Sequence, residues 1–222
     1  MLSYLALNSK CSWTSIPAAL GVFSLLVLLI SSVAFGASEQ STESPTKVVR
    51  ATLAEVFRIL EDPKLKDSSK LASRRRMLEE VISHRFDYTE MSRRTLASQW
   101  TRLTEEQRTE FVDLFKGFLS DRYAGKIEGY SGEKVQYLNE RLEGQYAEVR
   151  TKLVSDKVEI PMDYRLISKA GHWYAYDIIA DGVSLVKNYR SQFDKIVRSD
   201  SYDELVTRLR NRTVGEEKNE KR

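Results

Sequence analysis

The sequence predicts an α+β fold, a curved antiparallel sheet of about four strands enclosed by several helices. Three observations predict it. Apolar residues recur at helical spacing up to Leu119, alternate strictly from Glu133, and return to helical spacing after Val186. The alternating runs follow one another across short turns, which favours an antiparallel meander.

Residues 1–36 differ in kind from the rest. They hold one charge, Lys10, and the run IPAALGVFSLLVLLI is almost wholly apolar before small residues appear at Ser31, Ser32, Ala34, Gly36 and Ala37. A charged start, an apolar middle and a small-residue exit make a secretory signal, cut after Gly36 or alternatively after Ala34 or Ala37. An uncleaved anchor is the competing reading, since roughly 20 apolar residues span a bilayer. Pro17, Ser24 and the polar SEQSTESPTK beyond favour cleavage. Either way residues 37–222 are exported, as a single domain with a short polar linker before it and a polar tail after it.

The one cysteine, Cys11, precedes the apolar run, so the exported part has no disulfide, lipoprotein cysteine or thiol chemistry. The formal charge of +3 is too small to point to nucleic acid.

In the first helix Val49, Leu53, Val56, Phe57 and Leu60 recur at helical spacing, and Pro63 ends it near Glu61. A second, LASRRRMLEEVIS, carries Leu71, Leu78, Val81 and Ile82. Its arginines Arg74, Arg75 and Arg76 suit lipid phosphates or an acidic partner. The bland alternative is a solvated face, with Arg75–Glu79 and Arg76–Glu80 as weak pairs one turn apart. At 104-TEEQ-107 a capping box opens a long helix whose stripe is Phe111, Leu114, Phe115, Phe118 and Leu119.

The run 133-EKVQYLN-139 is the first strand. In 145-QYAEVRTKLV-154, Ala147, Val149, Thr151 and Leu153 share one face. In 158-VEIPMDYRLI-167 the apolar face is Val158, Ile160, Met162, Tyr164 and Leu166, and Pro161 implies an edge or a bulge. In the fourth strand, 172-HWYAYDIIAD-181, alternation puts Trp173, Asp177 and Ile179 together. Gly182 supplies a turn, and Val186, Tyr189, Phe193, Ile196 and Val197 then follow at helical spacing. A last helix starts at 201-SYDE-204 and buries Leu205, Val206 and Leu209.

Candidate chemistry is sparse. His84 and His172 sit in unrelated settings, and no P-loop, dinucleotide fingerprint, nucleophile elbow or zinc spacing occurs. Asp163 reads as a partner of Arg150 or Arg165. Asp177 reads as structural, pairing with Arg190 or capping the turn after it. What is abundant is apolar surface, which a sheet under helices can either fill or leave hollow.

The order FDYTEMSRRTLASQW, LTEEQRTEFVDLFKGFLSDRYAGKIEGY, VRTKLV, PMDYRLISKAGHWYAYDIIADGVSLVKNYRSQF and YDELVTRLR resembles the periplasmic phospholipid carriers of the Mla (maintenance of lipid asymmetry) pathway, the toluene-tolerance family. The resemblance covers nearly all of residues 48–210 and is most specific from Asp163 to Phe193, in W-x-x-Y-D, D-G-V-S-L-V and N-Y-R-S-Q-F. One departure is Ala97, where the family usually carries glycine; if that glycine serves close packing, a helix contact is altered.

The resemblance implies a non-enzymatic, monomeric carrier without cofactor or metal in the periplasm of a Gram-negative bacterium. It implies an apolar cavity that holds phospholipid acyl chains, with headgroups near the mouth. Its partners would be an inner-membrane ABC transporter complex and an outer-membrane lipoprotein and porin complex. With the spacings above, it assigns the lining to Phe111, Phe115 and Tyr123 of the long helix, and to Val149, Thr151, Leu153, Ile160, Met162, Tyr164, Leu166, Trp173 and Ile179 of the sheet. Val186, Tyr189 and Phe193 add the helix after it, and solid core is the other reading of those aromatics. Arg190 would pair with a carboxylate or meet a headgroup, and Arg93-Arg94 is a docking candidate or a solvated face. Two rivals stay open, a carrier of another lipid such as a hopanoid and a small-molecule isomerase or lyase on a cone-shaped fold.

Overall fold

Ser44 starts the first helix by local means. Its hydroxyl accepts the Lys47 N–H at 3.3 Å, and Pro45 at the first helical position needs no donor. In the computed structural model, which describes residues 43–156 and 159–214, this helix is α1 (Pro45–Glu61), ended by the extended Asp62 ahead of Pro63. The export signal read in residues 1–36 lies outside the described residues, as does Val158.

After two 3-10 turns comes α2 (Leu71–Ser83), with the bounds the sequence predicts. The segment Tyr88–Leu96, to which apolar spacing assigns nothing, is also a helix, α3. Asp87 caps it by accepting the Glu90 N–H at 2.9 Å, and that Asp-x-x-Glu spacing is the signal which apolar period passes over. The predicted capping box opens α4 (Glu105–Glu128): Thr104 Oγ1 accepts the Gln107 N–H at 3.3 Å, and Gln107 Oε1 accepts the Thr104 N–H at 3.0 Å.

The meander has five strands in chain order, each antiparallel to the next. They are β1 (Lys134–Glu143), β2 (Tyr146–Val154), β3 (Glu159–Lys169), β4 (His172–Ala180) and the two-residue β5 (Val183–Ser184). Asp181 and Gly182, at φ 49° and 76°, make the turn into β5. Two helices close the described chain, α5 (Leu185–Ser199) and α6 (Tyr202–Arg210). Ser201 Oγ accepts the Glu204 N–H at 3.1 Å at the start of α6.

A bulge corrects the facing of β4. Arg165 pairs with Asp177 but Leu166 with Ala175, so Tyr176 is an extra residue and the side-chain phase flips there. Trp173 and Ala175 therefore share the inner face with Ile178 and Ala180, while Asp177 and Ile179 take the outer face. Pro161 also departs from expectation, because β3 is an internal strand. Its carbonyl accepts the Asp181 N–H at 2.9 Å just beyond the last residue of β4, so its ring nitrogen faces that same side and only the reciprocal bond of this terminal pair is missing.

Among the described residues three apolar clusters form. Val48 and Val49 of α1 cover Ala147, Val149, Leu166 and Trp173 on the inner face. Farther on, α1 leaves the sheet, and Val56, Ile59 and Leu60 pack with Leu78 of α2 and Ile127 of α4. The third cluster joins α4, α5 and α6 through Phe111, Phe115, Tyr189, Phe193, Leu205 and Leu209. The expected Arg75–Glu79 pair does not form: Arg75 reaches across to Glu128 by two bonds, at 2.5 and 3.1 Å, and Glu79 accepts from Ser120. A bidentate guanidinium–carboxylate pair outcompetes a weak one-turn contact. Arg150 and Arg165 likewise turn to Glu148 at 2.9 and 3.3 Å rather than to Asp163.

Ala97 ends α3 at φ 50°, ψ −119°, a region that glycine enters freely and a Cβ makes costly. A glycine here would answer a backbone need. Ala97→Gly is expected to stabilise the protein by about 1 kcal/mol, read as a higher denaturant midpoint at unchanged slope; an unchanged or lower midpoint would show that alanine is not strained there.

Candidate functional site

The inner face of the sheet is covered unevenly. Val149 and Thr151 are 0 % and 1 % exposed, yet one pair farther along the strands Leu153, its β3 partner Ile160 and its β1 partner Val135 are only half-buried and belong to none of the three clusters. The cause lies in α1, which covers the first part of the face and then turns away to α2. Met162 and Ile178 are half-buried at the boundary. Thr151 Oγ1 donates to the Met162 carbonyl oxygen at 2.5 Å, so the hydroxyl is spent within the sheet and the wall stays apolar.

The predicted lining residues fall into four places. Leu153, Ile160 and Met162 lie at the half-covered end. Val149, Thr151, Tyr164, Leu166 and Trp173 lie deeper on the same face and are buried; Trp173 Nε1 donates to the Glu43 carbonyl at 3.0 Å. Phe111, Phe115, Val186, Tyr189 and Phe193 belong to the helical cluster, where Phe115 meets Phe193 and Tyr189 edge-on at centroid distances of 5.2 and 5.5 Å. Their burial and mutual packing are those of solid core. Tyr123 is half-buried at the border of that cluster, its hydroxyl 3.3 Å from that of Tyr189. Ile179 is on the outer face, moved there by the bulge.

Burial, and then the Tyr123 hydrogen bond, push the Tyr189 phenol above its ordinary range. Burial does the same to Tyr164. Both stay neutral at physiological pH, which keeps charge off the surfaces they line.

Asp177 is buried on the outer face and holds the β4–α5 junction. Its carboxylate accepts from Ser184 Oγ at 2.6 Å and from the Val186 N–H at 3.0 Å, with Arg165 Nη1 at 3.5 Å. Ser184 Oγ in turn accepts the Lys187 N–H at 3.1 Å. This is the capping role among the two expected; the charged partner is Arg165, not Arg190, which is exposed. Sequence reasoning missed Ser184, although a serine immediately before an apolar helical period is a cap signal. It also missed Glu90, a buried carboxylate bonded by both Arg93 and Arg94. Burial works to raise the Glu90 pKa, and those two bonds prevail and hold it low. Arg94 further stacks 4.0 Å from the Tyr176 ring centre.

A hollow of about 270 Å³ lies between α1 and α2, lined by Glu55, Ile59, Met77, Glu80, Val81 and His84. It falls below the roughly 300–1,000 Å³ of clefts that take drug-sized ligands, and so cannot hold a two-chain lipid. Among the described residues no group of three His, Cys, Asp or Glu is placed to hold a metal, and no helix is long and apolar enough to cross a membrane.

A family model described as MlaC protein matches residues 50–211. The chain is similar to the intermembrane phospholipid transport system binding protein MlaC of Haemophilus influenzae, 25% identical over 122 residues, which cover 52% of this chain and 57% of that protein. The match therefore spans little more than half of that relative. Toluene tolerance protein ttg2D of Pseudomonas putida is 24% identical over 182 residues, covering 81% of this chain and 83% of that protein. Among solved structures, the phospholipid-binding protein of Ralstonia solanacearum in complex with a phospholipid superposes with a TM-score of 0.68 at 24% identity, covering 77% of this chain and 97% of that one. That likeness shows the shared α+β fold.

The two kinds of apolar position differ in what truncation costs. Phe115→Ala is expected to destabilise by about 3–5 kcal/mol, a cavity in close-packed core, and Leu153→Ala by less than about 2 kcal/mol. Chemical denaturation of both variants checks this, and an equal, large loss at Leu153 would make that end of the sheet filled core.

Proposed function

Because the chain belongs to the MlaC protein family, we propose that it is a periplasmic carrier that holds the acyl chains of a phospholipid against the half-covered end of its sheet. The observation that carries this reading is the row Val135, Leu153 and Ile160, an apolar extension of the core face that no described cluster covers. The relatives named above for phospholipid transport and phospholipid binding support it.

The physical need is plain. At about 0.8 kcal/mol per methylene, a two-chain lipid with roughly 30 of them faces a cost on the order of 20 kcal/mol on entering water. A carrier offers hydrocarbon in exchange for hydrocarbon, which requires an apolar wall and no reacting residue. Leu153, Ile160 and Met162 form that wall in this reading. The carrier would load and unload at an inner-membrane ABC transporter complex and an outer-membrane lipoprotein and porin complex, with net direction set by differential affinity and by ATP at the transporter.

Native mass spectrometry of the purified protein, with lipid extraction of the same sample, tests the reading. An adduct of phospholipid mass is expected, and Leu153→Glu should reduce it about tenfold or more in a protein whose circular dichroism is unchanged, since a carboxylate in an apolar site costs at least 1.4 kcal/mol by an order-of-magnitude estimate. Absence of any adduct, even after incubation with phospholipid vesicles, would sink the proposal; a hopanoid in the extract would replace the phospholipid with another lipid.

A further inference from the structure

Arg74 is a cation on an apolar stripe. On α2 it shares the core-facing side with Leu71, Leu78 and Val81, at helical spacing, and its Nε is closed off from solvent without a hydrogen-bond partner. No ion pair among the described residues includes it. One turn away on its own helix stand Lys70, Leu71, Met77 and Leu78, none of them acidic. On α4, Glu128 has both oxygens taken by Arg75. Hydrogen bonds from Arg75, and behind them the charges of Arg75 and Arg74, hold the Glu128 carboxyl below its usual value, so Arg74 stands near that carboxylate without bonding it.

The other buried polar atoms without hydrogen bonds have simpler accounts. Asp87 Oδ2 lies against the Lys169 ammonium, and Ser92 Oγ is a neutral hydroxyl. Arg74 is thus the one charged group of that set with neither a hydrogen bond at its buried atom nor an ion pair among the described residues. A buried guanidinium donor without an acceptor is costly, and groups of this kind call for a ligand, water or ion.

Its position says which ligand. Glu128 ends α4, and the next element, β1, begins at Lys134, paired with Val154 beside Leu153. The chain between spans no more than about 20 Å, and Tyr130 within it stacks on Phe57 of α1 with ring centres 4.6 Å apart, so the α1–α2 cluster that carries Arg74 lies toward the end of the sheet where the inner face is half-covered. We propose that Arg74 is a phosphate receptor at the mouth of that apolar site, engaging the phosphodiester of a lipid whose chains lie along Leu153 and Ile160. The forked guanidinium matches two phosphate oxygens, and free inorganic phosphate shares that chemistry. The assignment to a lipid rests on the carrier reading above.

The test offers the purified protein phosphatidylglycerol, or diacylglycerol with the same chains, in one non-ionic detergent, and inorganic phosphate alone in a calorimeter. The wild type is expected to take phosphatidylglycerol about tenfold or more tighter than diacylglycerol. Arg74→Met should erase that preference, keep diacylglycerol binding, and unfold at the same or a higher denaturant midpoint, because a fitting apolar residue replaces an unpaired buried donor. Arg74→Gln serves as a second, polar variant and should lose the preference too. A preference that survives either folded variant overturns the proposal, and so does a fall in stability with the preference intact, which would make Arg74 structural. Inorganic phosphate bound by the wild type and lost in Arg74→Met, with no preference between the lipids, would keep the anion site and overturn its lipid assignment. If the wild type takes neither lipid, the carrier reading is what has failed; the phosphate arm alone then decides the site, supported by binding that depends on Arg74 and ended by none.

Discussion

The joint at Asp177 carries the architecture. A sheet with one apolar face gains little unless helices return to it, and the chain returns through a single short connection from β4 to α5. At that connection one carboxylate gathers Ser184 Oγ, the Val186 N–H and, more distantly, Arg165 Nη1. Hydrogen bonds to a buried charged group are worth about 1.5–3 kcal/mol each. They fix the angle at which α5 leaves the sheet, and α5 brings Tyr189 and Phe193 into the aromatic cluster. A second tie holds from α3, where the Asp87 N–H donates to the Ala175 carbonyl and the Ala175 N–H to that of Arg85, each at 2.8 Å. The two ties meet β4 on either side of its bulge. The helical cluster is thus set against the sheet by polar bonds at its margin, while its apolar residues pack among themselves.

This arrangement explains why much of the fold was legible and the site less so. Helix bounds followed from local chemistry: Pro63 after α1, the Thr104–Gln107 box before α4 and Ser201 before α6 act within a few residues and read the same in isolation as in the folded protein. The facing of β4 depended on a bulge, and nothing in HWYAYDIIAD marks Tyr176 as the extra residue. One such residue moves Ile179 to the other face of the sheet, and Asp177 with it. Pro161 misled for a related reason, since its effect is set by where the neighbouring strand stops.

Apolar spacing also could not separate filled core from half-buried surface. Phe115 and Leu153 both sit on apolar stripes, but Phe115 is enclosed by the rings of Tyr189 and Phe193, whereas α1 has left the sheet at the level of Leu153. Ala97 shows the converse case, in which resemblance flagged the right position and the backbone supplied the reason. The sequence reading tied the position to a helix contact if glycine there serves packing, and the φ of 50° points to conformation instead.

The start of α1 is held from two sides. Glu140 of β1 accepts the Thr46 N–H at 2.7 Å, and Trp173 donates to the Glu43 carbonyl. The far half rests on α2 instead of the sheet. A helix of 17 residues is about 25 Å long, so a tilt of about 10° around the held end carries the other by about 4 Å, given that rise per residue. The molecule thus contains a lever whose fulcrum is polar and whose far arm is held by aliphatic side chains, the Phe57–Tyr130 stack and one hydrogen bond, from the Tyr130 hydroxyl to Glu61 at 2.9 Å. How much of the face beside Leu153 is covered depends on one angle, and that angle is independent of every strand pair.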